Sequence, residues 1–441
     1  MKIVLKRFVC FALPLSLTAL FLLLGLPVFG QTTEEVFPPC FNESELAKVR
    51  EWEKTWVGKK VNAANVDQVK DLLPDILVKM MKEPARWGAK ELWFEVVPYQ
   101  FVPQSKTVAE ATKKYSPNIK FSPNGFKTPW GEVYPNEFLE GYEKGETGAG
   151  FPFPKAKTGL EMAWNYDSLN YGDHWFRYID GPSVNARTGA ERKAYQPQWV
   201  IMFSGRTDMP PTPMIQPNKR GIRQALYMEI LEPADMYGTH HLDVFHMDPR
   251  KENDAYIWIA MYRRVRKLTT TQRGDTIDGT DENYDDHTGY YNHVNRNTWK
   301  YLETKEVIGS RHMVKENFTR QKGQAFWSGQ LRERCKVYLL EFVNKDKEYV
   351  YSKSIMYLDT ETYQCLYKEI WDRQGKLWRF LDSQIGIYKS VQGNQVIAPV
   401  GYNYVDVQRL HGGPNAFGDP KFGVNMKPDM FTLQHLQRVG Y

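Results

Sequence analysis

The first apolar run of the chain is its longest and carries no charge. It extends from about residue 8 to residue 27, after three basic residues, and small or branched residues then lead into a polar stretch. These are the parts of a cleavable secretory signal. An uncleaved membrane anchor is the alternative, since about 20 apolar residues can span a bilayer. Pro27 and Gly30 break the run where cleavage would occur. We therefore predict that residues 1–30 are a signal peptide and that the mature protein reaches the periplasm.

The next pattern is helical. Asn42 and Glu45 have the spacing of a capping box, which predicts a helix over residues 43–56. Apolar residues three and four positions apart predict a second helix over residues 66–81. Pro74 falls inside that second stretch and is expected to break or restart it.

After residue 159 the pattern changes to short runs rich in β-branched and aromatic residues, which predict strands. The clearest runs are residues 198–203, 226–230, 256–262, 336–342, 349–357 and 363–371. A polar turn at residues 344–347 predicts an antiparallel hairpin between two of them. Strands and helices do not alternate, so a doubly wound α/β fold is disfavoured. We predict a mainly β (α+β) chain with one large curved antiparallel sheet or open barrel.

These patterns divide the chain into three parts. They are a signal peptide (1–30), an N-terminal helical segment (31–95) and a β domain with a loop-rich entry (96–441). The signal holds three of the 58 basic residues and none of the 52 acidic ones, so the mature chain carries a net charge near +3. That charge is too small to indicate a nucleic-acid partner. Aromatic residues make up 14% of the chain, a share that suits cores, ligand cavities and sugar platforms alike.

Three cysteines remain after the signal, and none belongs to a C-x-x-C pair. One disulfide and one free thiol are expected in an oxidising compartment. Cys335 with Cys365 is the first choice. If the strands that carry them form a meander, these two cysteines are not neighbours and Cys40 becomes the better partner.

Two groups of residues suggest a metal or catalytic site. His240, His241 and His246 resemble a ligand cluster, but adjacent histidines on a strand point to opposite faces. We therefore predict no metal and no cofactor, and expect buried, hydrogen-bonded imidazoles. The acidic segment 278–287 lacks the order of a calcium-binding EF-hand loop. Its paired carboxylates are also compatible with glycoside hydrolysis, which needs two carboxylates across a cleft.

Basic residues follow the strand at 256–262. Either they form a solvated strand end, or they pair with the acidic segment and pin it across the sheet through bidentate bonds. The residues of this predicted structural ion-pair block are Arg263, Arg264, Arg266, Asp281, Asp285 and Asp286.

Several segments together resemble one protein family. Residues 150–154 and 159–165 match its G-x-P-F-P…G-x-E-x-x-W-N pattern, and later blocks match in order and spacing. The later blocks are residues 262–266, 278–280, 284–286, 299–300, 305–306, 337–338, 351–353, 357–359, 371–378, 425–427, 431–432 and 436–438. Over most of residues 95–441 the chain resembles the proteobacterial domain of unknown function 1329.

This resemblance implies a fold rather than an activity. The family is similar to the LolA/LolB lipoprotein-localisation proteins, in which an open antiparallel barrel surrounds an apolar cavity. Its members are associated with an outer-membrane partner and an RND-type exporter. No catalytic residues are established for the family, so none is assigned here.

The first functional hypothesis is a non-enzymatic periplasmic carrier or chaperone for a lipid, lipoprotein or other hydrophobic ligand. The expected cavity residues are Trp199, Met202, Trp258, Met261, Tyr338 and Tyr357. One alternative is a carbohydrate-binding or carbohydrate-active protein that uses the acidic segment. Another is a scaffold that docks to an exporter component through residues 31–95.

Overall fold

The computed structural model describes residues 36–127, 131–268, 276 and 280–439. The predicted signal peptide lies outside these residues. The helices are α1 (Glu43–Trp56), α2 (Asp75–Lys82), α3 (Lys106–Tyr115), α4 (Gly159–Asp167) and α5 (Leu433–Val439). Within the described residues, no helix has both the length and the hydropathy needed to cross a membrane.

Strands dominate the structure. They are β1 (Lys60–Val61), β2 (Phe94–Val96), β3 (Phe126–Lys127), β4 (Val133–Tyr134), β5 (His174–Asn185), β6 (Ala190–Met202), β7 (Ile222–Ile230), β8 (Thr239–His246), β9 (Asp254–Ile259), β10 (Arg264–Leu268), β11 (Asn297–Gly309), β12 (Gln330–Asn344), β13 (Tyr351–Asp359), β14 (Cys365–Asp372), β15 (Leu377–Lys389), β16 (Gln395–Asp406) and β17 (His411–Phe422).

One sheet holds fifteen of these strands, and β3 and β4 form a separate pair. Its order is β1-β2-β12-β13-β14-β15-β16-β17-β5-β6-β7-β8-β9-β10, with β11 also beside β12. All neighbouring strands are antiparallel except β2 and β12. The predicted hairpin is confirmed as β12 and β13, in which Leu340 lies opposite Met356. The mainly β fold with a large antiparallel sheet is therefore confirmed.

The sheet is strongly curved. Asp286 accepts a hydrogen bond from Tyr351 on β13 at 2.5 Å, while Tyr291 packs its ring 4.5 Å from that of Phe245 on β8. Eight strand-to-strand spacings separate β13 from β8 in the sheet order. In a flat sheet these two strands would be about 38 Å apart. Asp286 and Tyr291 are five residues apart, so their main chains can be at most about 18 Å apart. Both contacts form because the sheet wraps around this segment.

Side chains alternate between the two faces of the sheet, as the pleat requires. Val200 belongs to the core on the concave face and its neighbour Ile201 to a core on the outer face. Leu226 and Tyr227 divide in the same way. The concave core joins residues of β5–β7 and β12–β17, and separate cores lie on the outer face.

The outer face is covered by the two ends of the described chain. The N-terminal cover (residues 56–102) places buried apolar side chains against β12–β16, and α5 places Leu436 against β7–β9. The capping box at Asn42 and Glu45 is present. The second predicted helix is shorter than expected, since α2 begins only after Pro74 and two 3₁₀ turns precede it. Strands β1 and β2 make this segment part of the main sheet.

The expected Cys335–Cys365 disulfide is absent, and the structure corrects that prediction. Cys40, Cys335 and Cys365 are all free thiols. Cys335 lies on β12 in the outer core and Cys365 on β14 in the concave core. Because β13 separates their strands and the two residues belong to opposite faces, the sulfur atoms do not meet.

Candidate binding cleft

The concave side of the sheet holds a polar segment, the inner loop (residues 280–296). Its most buried carboxylate is Asp286, which is 1% exposed. Lys368 binds this carboxylate at 2.6 Å, and the hydroxyls of Tyr351 and Tyr404 donate to it at 2.5 and 2.6 Å. A buried charge is tolerated when it is paired and fully hydrogen-bonded. The loop is therefore fixed to the sheet by polar contacts.

The predicted ion-pair block is wrong. Its three carboxylates have other partners: Asp281 binds His411 at 2.5 Å, Asp285 accepts from Tyr349 at 2.8 Å, and Asp286 binds Lys368. The three arginines, Arg263, Arg264 and Arg266, are exposed. The physical reason is that β9 ends at Ile259 and the chain turns back into β10, which is the edge strand.

Asp285 and Asp286 do not have the setting that glycoside hydrolysis requires. They are 2% and 1% exposed, and neither lines a described cleft. Their oxygens accept hydrogen bonds from the hydroxyls of Tyr349, Tyr351 and Tyr404 and from Lys368. These contacts support a structural role for both carboxylates.

The three histidines of β8 do not converge. His240 shares a hydrogen bond of 2.8 Å with Tyr227, and His246 shares one of 3.1 Å with Asp254. In the described ranges of the chain, no group of three or more His, Cys, Asp or Glu side chains is arranged to hold a metal ion.

A cleft opens between the inner loop, the end of α4 and strands β5–β8. Its volume is about 750 Å³, including the open mouth. Apolar and aromatic side chains form much of its wall, with a few polar groups among them. The apolar and aromatic members are Tyr166, Leu169, Tyr171, Trp175, Met202, Phe245, Tyr290 and Tyr291, and the polar members include Arg177, Arg223, Gln224, His246, His287 and His293.

Arg177 is the most unusual residue of this cleft. Its side chain projects inward from β5 and is packed against Phe417 and Trp175, with the guanidinium carbon 3.6 and 4.7 Å from the two ring centroids. Nε donates to Gln198 at 2.8 Å. No carboxylate of the described residues forms an ion pair with it. Burial lowers the pKa of Arg177 to about 10.

His287 links Arg177 to Glu282. Nη2 of Arg177 lies 3.1 Å from Nε2 of His287, and Nδ1 of His287 lies 3.1 Å from Glu282. Because a guanidinium can only donate, Nε2 accepts and Nδ1 carries the proton that is donated to Glu282. Tyr402 donates to the other carboxylate oxygen at 2.6 Å. A neutral imidazole therefore separates the cation of Arg177 from the anion of Glu282.

The second arginine of the cleft is fully paired. Arg223 donates to Oδ1 of Asp167 at 2.5 Å and to the main-chain carbonyl of Asp167 at 2.7 Å. Tyr142 donates to Oδ2 of the same carboxylate at 3.2 Å. These residues and Met202 form the border with a second cleft of about 600 Å³, beneath residues 145–152.

Comparison with known proteins identifies the family. The model of a family described as "Protein of unknown function (DUF1329)" matches residues 60–437. The chain belongs to this family. A Pseudomonas aeruginosa relative, itself described as uncharacterized, is 24% identical over 354 residues, which cover 75% of this chain and 70% of the relative.

Two solved structures resemble this DUF1329 protein. One is an outer membrane lipoprotein-sorting protein domain from Vibrio parahaemolyticus, with 16% identity, a TM-score of 0.47, and coverage of 64% of this chain and 98% of that one. The other is a LolA superfamily protein from Nitrosomonas europaea, with 12% identity, a TM-score of 0.41, and coverage of 64% and 100%.

The cavity residues predicted from the sequence of this DUF1329 protein do not line one site. Met202 alone among them lines the cleft. Trp199 and Trp258 contribute to the outer core beneath α5, and Tyr357 lies under the N-terminal cover. The other two are Tyr338, which packs 5.9 Å from Tyr363, and Met261, which is 73% exposed.

The residues that do build the cleft were missed by the sequence analysis. Trp175 and Arg177 belong to β5, a strand that was not predicted. One signal was available: Arg177 is the only charged residue in the aromatic-rich run 174–179. A charged residue within an aromatic-rich run of a strand is a candidate functional residue.

Proposed function

We propose that this DUF1329 protein is a non-enzymatic binding protein that carries a largely apolar ligand in the cleft between the inner loop and β5–β8. The observation that carries this proposal is the composition of the cleft wall. Ligand sites in proteins are concave and mostly apolar, with a few polar groups that orient the ligand. The cleft at Trp175 and Tyr291 has this composition.

Burial of apolar surface supplies the binding energy in this proposal. Each methylene removed from water contributes roughly 0.8 kcal/mol. An alkyl chain placed against Trp175, Leu169 and Tyr291 would exchange water for aromatic and aliphatic contacts. A hydrophobic compound could therefore cross an aqueous compartment without aggregating.

Native mass spectrometry of the protein purified from its producing cells tests this proposal. We expect a fraction of the protein to retain a co-purified amphiphile or lipid, which denaturation releases. Protein that carries no such compound, and that also fails to bind the neutral fluorescent probe N-phenyl-1-naphthylamine, would contradict the proposal.

A matched pair of variants locates the binding site. Leu169 lines the cleft and is partly buried, so Leu169→Trp places an indole in the ligand space. We expect this variant to lose at least tenfold in affinity for the naphthylamine probe. Leu302→Trp makes the same change at an exposed position of β11 and should bind as the wild type does. Equal binding by the two variants would place the site elsewhere.

We further propose that the protein works in the periplasm and delivers its ligand to an outer-membrane or exporter component. The predicted signal peptide and the resemblance described above support this assignment. Fractionation of cells that produce the full chain would test the location, and crosslinking in those cells would test for the partner.

A further inference from the structure

We infer that the cleft binds an amphiphile with an anionic head group, and that Arg177 pairs with that group. This inference rests on the proposed function and specifies the chemistry of the ligand. The shared chemistry is an oxyanion, a carboxylate or a phosphate ester, attached to an apolar body.

The first observation is the state of the Arg177 guanidinium. The residue is 4% exposed, yet among the described residues its hydrogen bonds go only to the side chains of Gln198 and His287. They use Nε and Nη2, so Nη1 has no hydrogen-bond partner among the described residues. Removing a guanidinium from water without a counter-ion is costly. The rings of Phe417 and Trp175 compensate only part of that cost.

The second observation is the contrast with Arg223, which lines the same cleft, and with the buried Arg332. Arg223 is bound by Asp167, and Arg332 is bound by Asp382 at 2.8 and 2.9 Å in a bidentate pair. Arg177 also lines a cleft and has only an imidazole between it and Glu282. Arg223 and Arg332 therefore each have a carboxylate partner, whereas Arg177 has none among the described residues.

The geometry also indicates where the rest of the ligand lies. Arg177 is flanked by Trp175 on its own strand, and Leu169, Phe245 and Tyr291 complete the apolar part of the wall. An anion at Arg177 with its chain along these residues would neutralise the buried charge and bury the apolar chain in one binding event. Charge-assisted hydrogen bonds to a guanidinium are among the strong ones in proteins.

Isothermal titration calorimetry on the full-length mature protein tests this inference with three ligands of equal chain length. They are decanoate, decyl phosphate and decanol, and inorganic phosphate serves as the probe without a chain. We expect at least one of the two anions to bind about tenfold or more tightly than decanol. Inorganic phosphate should show no binding over the same range.

Variants then assign the effect to Arg177. In Arg177→Gln the preference for the anion over decanol should fall to about twofold or less, while decanol affinity stays within threefold of wild type. Arg177→Lys keeps the charge and should retain part of the preference. Arg187→Gln, at the exposed turn after β5, removes a positive charge from the same strand pair and should leave the preference unchanged.

The possible outcomes separate the two proposals. Decanol binding as tightly as both anions in the wild type would overturn this inference and leave the carrier proposal standing. Failure of all three decyl compounds and of the naphthylamine probe to bind would overturn the carrier proposal itself. A loss of decanol and anion binding by equal factors in Arg177→Gln would show that Arg177 only shapes the wall.

Discussion

The N-terminal cover and the inner loop differ in the contacts that attach them to the sheet. On the outer face, the N-terminal cover packs apolar side chains such as Leu77 and Phe94 against β12–β16. On the concave face, the inner loop is held by carboxylates that bind lysine, arginine, histidine and tyrosine side chains. Apolar packing tolerates small shifts, whereas hydrogen-bonded charges need defined partners. Among the described residues, Arg177 on the concave side has no carboxylate partner, and we place the head group of the proposed ligand there.

The largest effect is expected where the inner loop is anchored. Asp286→Asn leaves Lys368 and Arg379 buried without their anion, so the free energy of unfolding should fall by about 4 kcal/mol. Urea unfolding followed by circular dichroism measures this change. The double variant Asp286→Asn with Lys368→Met should recover part of the loss, because it removes one unpaired cation. A single variant as stable as wild type would contradict the view that Asp286 is structural.

The next effect concerns the outer face. Leu77 is 1% exposed on α2, so Leu77→Ala should lower the free energy of unfolding by about 3 kcal/mol through lost burial and a cavity. Lys79→Ala, at an exposed position of the same helix, should change it by less than about 0.5 kcal/mol. If both variants lost the same amount, the N-terminal cover would not depend on apolar packing.

A smaller effect is expected at the start of α1. Asn42 accepts a hydrogen bond from the main-chain nitrogen of Glu45, and the Glu45 carboxylate accepts one in return. Asn42→Ala should lower the free energy of unfolding by about 1 kcal/mol. Asn42→Ser keeps a capping oxygen and should remain close to wild type. An equal loss in both variants would show that something other than the cap is responsible.

The smallest effect on stability at neutral pH is expected at His240. Its contribution to the free energy of unfolding changes only below about pH 6.5. Burial lowers the pKa of His240 to about 4 from the ordinary value of 6.5, so the unfolded chain binds a proton between these pH values and the native chain does not. His240 therefore lowers stability as the pH falls from 6.5 to 4. His240→Gln should make the free energy of unfolding less dependent on pH in this range. An unchanged pH profile would show that the ring is protonated in the folded protein.

Periodicity predicted the parts of the fold that follow from local patterns. The strands around Leu340 and Met356 are rich in β-branched and aromatic residues, and their hairpin has a polar turn, so both strands and their pairing were evident. Strand β17 was missed because its first half contains Gly412, Gly413 and Pro414, which have low strand propensity. It forms because it is hydrogen-bonded between β16 and β5.

The candidate site was less accessible to sequence analysis. The sequence shows both the acidic segment and the Arg-rich strand end. Because opposite charges attract, it predicts that these two groups pair with each other. In the structure β10 is an edge strand, and Asp286 meets Lys368, which is 82 residues later in the chain. Such partners depend on which strands are neighbours, and spacing along the chain does not reveal them.

The sequence alone determined the β-rich composition, the alternation that gives each strand two faces, the caps and breaks of the helices, and the membership of a family. The alternation, the caps and the helix breaks follow from interactions between residues close together in the chain. Tertiary structure decided which face is concave, which carboxylate meets which cation, and that Arg177 is enclosed by aromatic rings. The reason is that the curvature of a fifteen-stranded sheet brings together side chains that are hundreds of residues apart.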